Sequence, residues 1–359
     1  MHRRALLLLL VTPALLRAQA QLPGPYPPPA EVRAAFKKLL DRPRGSDQVT
    51  RVDEIKRLPN GLTAERFRFE SERKPDGTAE LVPVLLVKPA NATGRLPAVI
   101  VLHGTGGSKD KMMDWLTDLA KRGIVGVAID ARYHGDRSGG AKGKEAYERA
   151  ITRAWRTKPG EPQEHPFYYD TVWDLWRTVD VLRERNDIDP ARIGMMGISM
   201  GGIETWLAAA ADERVAVAVP AIGVQSFRWS LDHDRWQGRA RTIQQAHDAA
   251  AKDLGEPRVN ARVCRELWAK VVPGITDQFD CPSMVRLMAG RPLLILNGDL
   301  DPNCPIEGAR LAFASAEAAY KAAGAADKLK IMVAEGVGHK VTAEQRQAAL
   351  DWLVRWLRP

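Results

Sequence analysis

The amino-acid sequence predicts an α/β fold with a doubly wound, mostly parallel sheet. Its 359 residues are 45% hydrophobic and 27% charged, which is typical of a globular chain and excludes a disordered, collagen-like or coiled-coil protein. From residue 97 onwards, short apolar runs alternate with segments whose apolar residues recur at helical spacing. Apolar strands that alternate with helices indicate a parallel sheet covered on both faces.

Six apolar runs are predicted to form the buried strands. They are Pro97–Leu102, Ile124–Ile129, Arg192–Ile198, Val215–Val219, Pro292–Leu296 and Leu329–Val333. The predicted helices among and after them are Lys111–Lys121, Asp170–Arg185, Met200–Ala211 and a last helix that opens with the capping box Thr342-x-x-Gln345. Ahead of this region, Ala64–Glu70 and Glu80–Val87 are strand-like. The segment Arg132–His165 is interpreted as a polar stretch, rich in glycine and lysine, between the second buried strand and the helix that follows it.

The N-terminal residues have the pattern of a secretory signal peptide. Arg3 and Arg4 precede an apolar stretch, and Ala18-Gln19-Ala20 matches the small-x-small pattern of a cleavage site. The prediction is a signal peptide at residues 1–20, cut after Ala20, with a short membrane anchor as the alternative. We therefore expect a secreted or periplasmic protein with no stable membrane insertion after cleavage.

The rest of the chain is predicted to have two parts, the second of which contains an insertion. Residues 21–60 form a Pro-rich leader followed by a short helix at Glu31–Leu40, and residues 61–359 form the main domain. Within that domain, residues 221–290 separate two strands by far more chain than a crossover needs. This segment, called the cap insertion below, is predicted to be helical and to lie over one edge of the sheet.

Charge and cysteine content exclude two further classes of protein. The formal net charge of +9 is spread along the chain without a run of five basic residues, which argues against nucleic acid as a partner. The three cysteines, Cys264, Cys281 and Cys304, allow at most one bridge, so the chain is not a disulfide scaffold. The sequence leaves the oligomeric state open.

The segment Gly197-Ile198-Ser199-Met200-Gly201 is the clearest chemical motif. It follows a predicted strand and precedes a predicted helix, which is the context in which a Gly-x-Ser-x-Gly serine is a nucleophile. The glycines on either side allow the sharp turn, and the hydroxyl then projects above the sheet. Ser199 is the predicted nucleophile, and an ordinary turn serine is the alternative.

A serine hydroxyl needs a base, and the base needs an acid. His339 is the predicted base because it follows the last strand and opens onto the same edge of the sheet as Ser199; a surface histidine is the alternative. Asp301 is the predicted acid, with Asp299 as the competing candidate in the same loop. His103 is expected to shape the neighbouring loop.

The oxyanion of an acyl-transfer reaction needs backbone N–H donors. Met200, which follows the nucleophile, is one predicted donor. The second is expected from the glycine-rich segment after the first buried strand, at Thr105 or, failing that, Gly104. A phosphate-binding loop is disfavoured because no lysine and serine or threonine follow at the required spacing. No metal site is predicted, because His-Glu-x-x-His and Cys-x-x-Cys are both absent from the sequence.

Several segments together carry a family resemblance. They are His103-Gly104-Thr105-Gly106-Gly107, Asp189-Pro190-Ala191-Arg192-Ile193-Gly194, Gly197–Gly202, Gly298-x-x-Asp301-x-x-x-Pro305 and Gly338-His339. On these segments, residues 60–358 resemble α/β-hydrolase fold serine hydrolases, whose triad runs in the order serine, acid, histidine. The chain is most similar to the cluster of dienelactone-hydrolase-like proteins, acetyl xylan esterases and prolyl-oligopeptidase catalytic domains.

Two departures from that cluster narrow the expected activity. Dienelactone hydrolases proper use a cysteine nucleophile, whereas position 199 is serine. Prolyl oligopeptidases carry a propeller for which the residues ahead of the main domain are too few. The expectation is an exported serine carboxylic-ester hydrolase that works through an acyl-enzyme without a cofactor.

The expected partner is a small-molecule or carbohydrate ester, and acetylated carbohydrate is one candidate. Phe227, Trp229 and Trp236 of the cap insertion are predicted to line the substrate pocket. The alternatives are an aminopeptidase-like amide hydrolase and a non-catalytic binding protein on a hydrolase scaffold.

Overall fold

The computed structural model describes residues 26–46, 48–74 and 76–358. The predicted signal peptide at residues 1–20 and the first residues of the Pro-rich leader lie outside these ranges. Within them, the chain forms one nine-stranded sheet with helices on both faces, which confirms the predicted α/β class.

The sheet has the strand order β1-β2-β3-β5-β4-β6-β7-β8-β9. The strands are β1 Val49–Leu58, β2 Leu62–Arg73, β3 Ala79–Pro89, β4 Leu96–Leu102, β5 Val125–Ile129, β6 Ile188–Ile198, β7 Val215–Ala221, β8 Leu293–Gly298 and β9 Leu329–Ala334. The first three strands pair antiparallel and β3 joins β5 antiparallel, whereas β4 to β9 are mutually parallel. The six predicted buried strands are therefore the six parallel strands.

Twelve α-helices lie within the described ranges. They are α1 Pro29–Leu40, α2 Met113–Lys121, α3 Glu145–Arg156, α4 Tyr169–Glu184, α5 Met200–Ala211, α6 Phe227–Asp232, α7 Gln237–Arg241, α8 Gln244–Asp253, α9 Ala261–Val271, α10 Cys281–Val285, α11 Ile306–Ala322 and α12 Ala343–Leu357. None of them is long and apolar enough to cross a membrane.

The helices divide the core into two layers. Residues of α2 and α12, such as Leu116 and Leu353, pack with Val99 and Val101 against one face of the sheet. The other helices, including α4 and α5, pack with residues such as Ile100 against the opposite face. Since side chains of a strand alternate between faces, both layers draw on the same strands. This double cover explains why the parallel strands are apolar throughout.

Three elements differ from the sequence-based expectations. Strand β1 was not predicted, because it has no continuous apolar run and most of its residues are exposed; it pairs with β2 at the edge of the sheet. The predicted domain boundary at residue 61 falls at the turn between these two strands.

The other two unexpected elements are helices. The segment Arg132–His165 contains helix α3, which buries Tyr147 and Ile151 on one side. Helix α11 fills the interval between β8 and β9.

The cap insertion contains five helices, α6 to α10, between β7 and β8. Its apolar residues, including Val263, Leu267 and Met284, belong to the core layer that also contains α4 and α5. The cysteines at positions 264, 281 and 304 are all buried as free thiols. That the insertion covers the substrate site stays a prediction.

Candidate active site

Ser199 lies in the sharp turn between β6 and α5. Its backbone has φ 58° and ψ −112°, a conformation that costs a residue with a Cβ of the order of 1–3 kcal/mol. The two motif glycines make the turn possible. A Cβ on Gly201 would lie 2.6 Å from the Leu102 carbonyl oxygen, and one on Gly197 would collide with the carbonyl group of Gly201. The turn thus fits glycine at both positions and presents the hydroxyl of residue 199 at the end of the sheet.

His339 connects Ser199 with Asp301. The Nε2 atom of His339 lies 2.7 Å from the Ser199 Oγ, and its Nδ1 atom lies 2.7 Å from the Asp301 Oδ2. A single imidazole tautomer satisfies both contacts, with Nδ1–H donating to the carboxylate and Nε2 accepting from the hydroxyl. The three residues come from the carboxyl ends of β6, β8 and β9, which meet at one edge of the sheet.

The acid loop, residues 299–305, orients Asp301 towards the histidine. The Asp301 side chain is fully buried, and its Oδ1 atom accepts from the backbone N–H groups of Asn303 at 2.8 Å and Cys304 at 3.1 Å. These two bonds leave Oδ2 free to face His339. The competing Asp299 instead accepts from the Val337 N–H at 3.2 Å and supports the loop that carries His339.

The acid loop and the histidine loop, residues 335–342, brace each other. The Leu300 N–H donates to the Val337 carbonyl at 3.0 Å, and a Cβ on Gly298 would lie 2.6 Å from the Gly338 carbonyl oxygen. Thr342 then caps helix α12, since its side chain accepts from the Gln345 N–H and Gln345 returns a bond to the Thr342 N–H. Both ends of the histidine loop are therefore anchored.

The predicted oxyanion donors flank Ser199. Met200 is the first residue of α5, where an N–H group has no partner within the helix. The loop after β4 passes close on the other side, and a Cβ on Gly104 would lie 3.5 Å from the Ser199 Cβ. The Gly107 N–H donates to the Gly104 carbonyl at 2.9 Å, which turns the loop at Thr105. Which N–H groups bind an oxyanion stays a prediction.

His103 supports this loop from below. Its Nδ1 atom donates to the Gly104 carbonyl at 2.9 Å, and its Nε2 atom accepts from the Ala131 N–H at 3.2 Å. Burial lowers the pKa of His103 to about 4. A neutral histidine with both nitrogens engaged fits a loop-shaping role, as the sequence indicated.

The aromatic residues predicted for the substrate pocket do not form one wall. Phe227 is fully buried in the core, with its ring 5.4 Å from the ring of Trp268, and that it lines the substrate pocket stays a prediction. Trp229 stacks on His233 at 4.4 Å between ring centroids. The Trp236 indole N–H donates to Asp234 at 2.8 Å. Both of these tryptophans are half-buried.

A cleft of about 370 Å³ opens beside His339. Its lining residues are Trp115, Ile198, Ile222, His339, Lys340, Val341, Thr342, Ala343 and Arg346. The Arg346 guanidinium stacks over the Trp115 ring at 3.9 Å and pairs with Asp118 at 2.6 Å. The cleft thus combines an apolar wall with two cationic side chains, Lys340 and Arg346, of which Arg346 is paired with a carboxylate.

Asp301, Cys304 and His339 place one possible metal-ligand atom each within 4.8 Å of the others. Hydrogen bonds account for this closeness. His339 Nδ1 already faces the Asp301 carboxylate, and the Cys304 Sγ donates to the Ile222 carbonyl at 3.2 Å. Burial also raises the pKa of the Cys304 thiol to about 12, whereas a metal ligand has to be a thiolate. These donors fit a proton-transfer site better than an ion site.

Sequence reasoning missed Arg239, which contacts the acid loop from helix α7. Its Nη2 atom donates to the Asn303 carbonyl at 3.0 Å and to the Cys304 Sγ at 3.1 Å. No local motif marks this arginine in the sequence. Only the packing of the cap insertion on the acid loop reveals it.

Known proteins resemble this chain in sequence and in fold. Residues 76–227, which include Ser199, match the model of the family described as Acetyl xylan esterase (AXE1). The protein YtaP of Bacillus subtilis (strain 168), described as a hydrolase, is 28% identical over 291 residues, which cover 77% of this chain and 84% of YtaP.

Solved structures show the same fold. Acetyl xylan esterase 1 from Thermoanaerobacterium sp. JW/SL YS485 superposes with a TM-score of 0.63 at 20% identity, covering 94% of this chain and 96% of its own. The glucuronoyl esterase from Solibacter usitatus gives 0.61 at 15% identity, with 92% of each chain covered. The protein is therefore an α/β-hydrolase fold chain that is similar to acetyl xylan esterases.

Proposed function

We propose that this protein is a serine carboxylic-ester hydrolase in which Ser199, His339 and Asp301 form the catalytic triad. The observation that carries the proposal is the continuous hydrogen-bonded chain from the Ser199 hydroxyl through the imidazole to the Asp301 carboxylate. A serine hydroxyl with a base at 2.7 Å is activated for attack, and the buried acid holds the base in the required tautomer. The strained turn at Ser199 supports the same role.

The reaction proceeds in two acyl-transfer steps. His339 Nε2 takes the proton of Ser199 as its oxygen attacks the ester carbonyl, and the resulting oxyanion is held by the N–H groups of Met200 and of Thr105 or Gly104. His339 then gives the proton to the departing alcohol, which leaves an acyl-enzyme. Water deprotonated by the same imidazole attacks the acyl carbonyl, and collapse of the second intermediate returns the proton to Ser199.

We propose acetyl esters of carbohydrates as the substrate class. The match of residues 76–227 to the acetyl xylan esterase model supports it, as does the presence of carbohydrate-ester hydrolases among the proteins with the same fold. The cleft beside His339 has apolar residues such as Trp115 and Ile222 for the non-reacting part of the substrate. Export by the predicted signal peptide belongs to the same proposal, since polymeric carbohydrate lies outside the cell.

Labelling with a fluorophosphonate probe tests the nucleophile. The probe should react with the wild-type protein, and Ser199→Ala should abolish the label because, within the described part of the chain, Ser199 is the hydroxyl that is hydrogen-bonded to an imidazole nitrogen. Ser315→Ala is the matched control and should label fully, since the Ser315 hydroxyl only donates to the Pro282 carbonyl. Equal labelling of wild type and Ser199→Ala would refute the assignment.

A substrate panel tests the reaction class. It contains nitrophenyl esters of increasing chain length, acetylated xylan, a methyl glucuronate ester and aminoacyl anilides. We expect hydrolysis of short acyl esters and release of acetate from the xylan. Turnover of the anilides without turnover of any ester would replace the proposal with an amide hydrolase.

A further inference from the structure

Arg239 is a buried arginine that reaches the acid loop from the cap insertion. Its residue surface is 1% exposed, and it projects from the short helix α7. Besides its contacts with Asn303 and Cys304, its Nη1 atom donates to the Tyr168 hydroxyl at 3.5 Å. Burying a guanidinium is costly unless its donors are engaged and an anion compensates it. Its surroundings should therefore contain that anion.

The anion that compensates Arg239 is the Asp301 carboxylate, and one peptide group lies between the two side chains. The Asn303 carbonyl accepts from Arg239 Nη2, and the N–H on the other side of the same peptide, that of Cys304, donates to the Asp301 Oδ1 atom. The peptide is thus placed between a cation and an anion. Such an arrangement polarises the peptide and strengthens both bonds. Asp301 is also among the groups that raise the pKa of Arg239, against the lowering effect of burial.

Two more contacts fix helix α7 on the acid loop. The Gln225 amide bridges the pair when its nitrogen donates to the Asn303 carbonyl at 2.9 Å and its oxygen accepts from Arg239 Nε at 3.0 Å. Gly238, the neighbour of Arg239, packs so closely that a Cβ there would collide with the Pro302 carbonyl. The arginine is therefore held against the loop by its own bonds, by a side-chain brace and by backbone contact.

The two titratable side chains that contact Arg239, Tyr168 and Cys304, are uncharged at neutral pH. Burial raises the pKa of the Tyr168 hydroxyl and, to about 12, that of the Cys304 thiol. The charged groups that contact His339 or line the cleft beside it are Asp301, Lys340 and Arg346 with its partner Asp118. Asp299 accepts from the backbone of the histidine loop, which also contains Glu335. None of these depends on Arg239, so a substitution of the arginine changes one charge alone.

We propose that Arg239 is a positioning residue that acts on the catalytic base through the Asn303–Cys304 peptide and Asp301. The proposal rests on the proposed esterase function, and it adds that a residue of the cap insertion influences the catalytic base. The guanidinium binds the Asn303 carbonyl, the N–H of the same peptide binds Asp301 Oδ1, and Asp301 Oδ2 faces His339 Nδ1. The positive charge of Arg239 thereby competes with the imidazole for the negative charge of the Asp301 carboxylate.

The substitution Arg239→Gln separates charge from hydrogen bonding, because glutamine still offers an N–H to Asn303 but carries no charge. We expect the pKa of His339 to rise by about 0.5 unit or more, as follows from removing a like charge. The acidic limb of kcat/KM should move upwards by the same amount, since it reports the base of the free enzyme. Arg239→Lys, which keeps the charge, should shift it less than Arg239→Gln.

Arg241→Gln is the matched control, since this exposed arginine lies on the same helix. Arg241→Gln should leave the pKa of His339 and the acidic limb of kcat/KM unchanged. Gly238→Ala is the second route: it pushes α7 away from the acid loop without changing any charge and should raise the pKa of His339 in the same direction. Gly238→Ala therefore tests the proposal even if Arg239→Gln does not fold.

Histidine NMR titration is the primary measurement, because it reads the pKa of His339 without turnover. An equal pKa in wild type, Arg239→Gln and Gly238→Ala overturns the inference, whatever the activity. A loss of thermal stability without a shift means a merely structural role and overturns it too. A shifted pKa in a protein that hydrolyses no ester supports the electrostatic coupling and refutes the proposed function instead.

Discussion

Ser199 holds a backbone conformation that a serine rarely adopts. With φ at 58°, the residue is stable there only because the surrounding structure enforces it: its N–H donates to the Ala221 carbonyl at 2.9 Å and its carbonyl accepts from the Ile203 N–H at 3.0 Å. Both bonds hold the backbone and leave the side chain free. The backbone of residue 199 is therefore held in place, and the contact with His339 Nε2 orients the hydroxyl.

The two aspartates of the acid loop give a matched pair of substitutions. Asp301→Asn should lower kcat by about 10³- to 10⁴-fold, because an amide that donates its N–H to Nδ1 imposes the wrong imidazole tautomer. Asp299→Asn keeps an oxygen that can accept from the Val337 N–H and should change kcat by less than about tenfold. Steady-state kinetics on a nitrophenyl ester measure both. Equal losses for the two variants would contradict the role assigned to Asp301.

The histidine loop depends on the start of helix α12. Thr342 is the N-cap, three residues after His339, and its hydroxyl accepts from the Gln345 N–H at 3.1 Å. Gln345 is fully buried and also donates to the Asn297 carbonyl at 2.9 Å, next to the end of β8. One capping box thus connects the helix that follows His339 with the strand that precedes Asp301.

Removal of the N-cap hydroxyl should weaken this connection. Thr342→Ala is expected to lower the free energy of unfolding by about 1 kcal/mol, since one backbone donor of α12 loses its partner. Thr342→Ser keeps the oxygen and should retain most of that stability. Urea denaturation followed by circular dichroism gives both values. A serine variant as unstable as the alanine variant would show that the methyl group, not the cap, matters.

Elements were predictable where their sequence pattern is local. The strand β6, the turn at Ser199 and helix α5 form one continuous pattern, and the positions of Asp301 and His339 follow because parallel strands end at the same edge. Strand β1 gives no buried pattern, since only its backbone pairing with β2 defines it. Arg239 could not be found because its partners lie 64 and 65 residues away along the chain.

At the scale of the whole molecule, Asp280 makes stability depend on pH. This carboxyl group is fully buried where α10 begins, and it accepts from the Ser226 hydroxyl at 2.5 Å and from the N–H groups of Phe227 and Cys281, each at 2.8 Å. It thereby connects two ends of the cap insertion. Burial outweighs these bonds and raises its pKa from 3.8 to about 7.

The folded state therefore binds a proton that the unfolded state has released between about pH 4 and pH 7. Since the folded pKa is raised, the contribution of Asp280 to the free energy of unfolding should decrease as pH rises through this window, by about 4 kcal/mol at most. The measurement is the difference in unfolding free energy between wild type and Asp280→Asn at pH 5 and pH 7.5. A difference that grows in favour of wild type with pH would mean that the accepted hydrogen bonds outweigh burial.

The hydrogen bond between Ser199 and His339 joins residues 140 positions apart. Closing so long an interval of chain is entropically expensive and slow compared with forming a single helix. During refolding from denaturant, helical signal should thus return before the serine becomes reactive. Reactivity towards a covalent probe then reports when this long-range contact forms, and a chain with its helices already formed can still be unreactive.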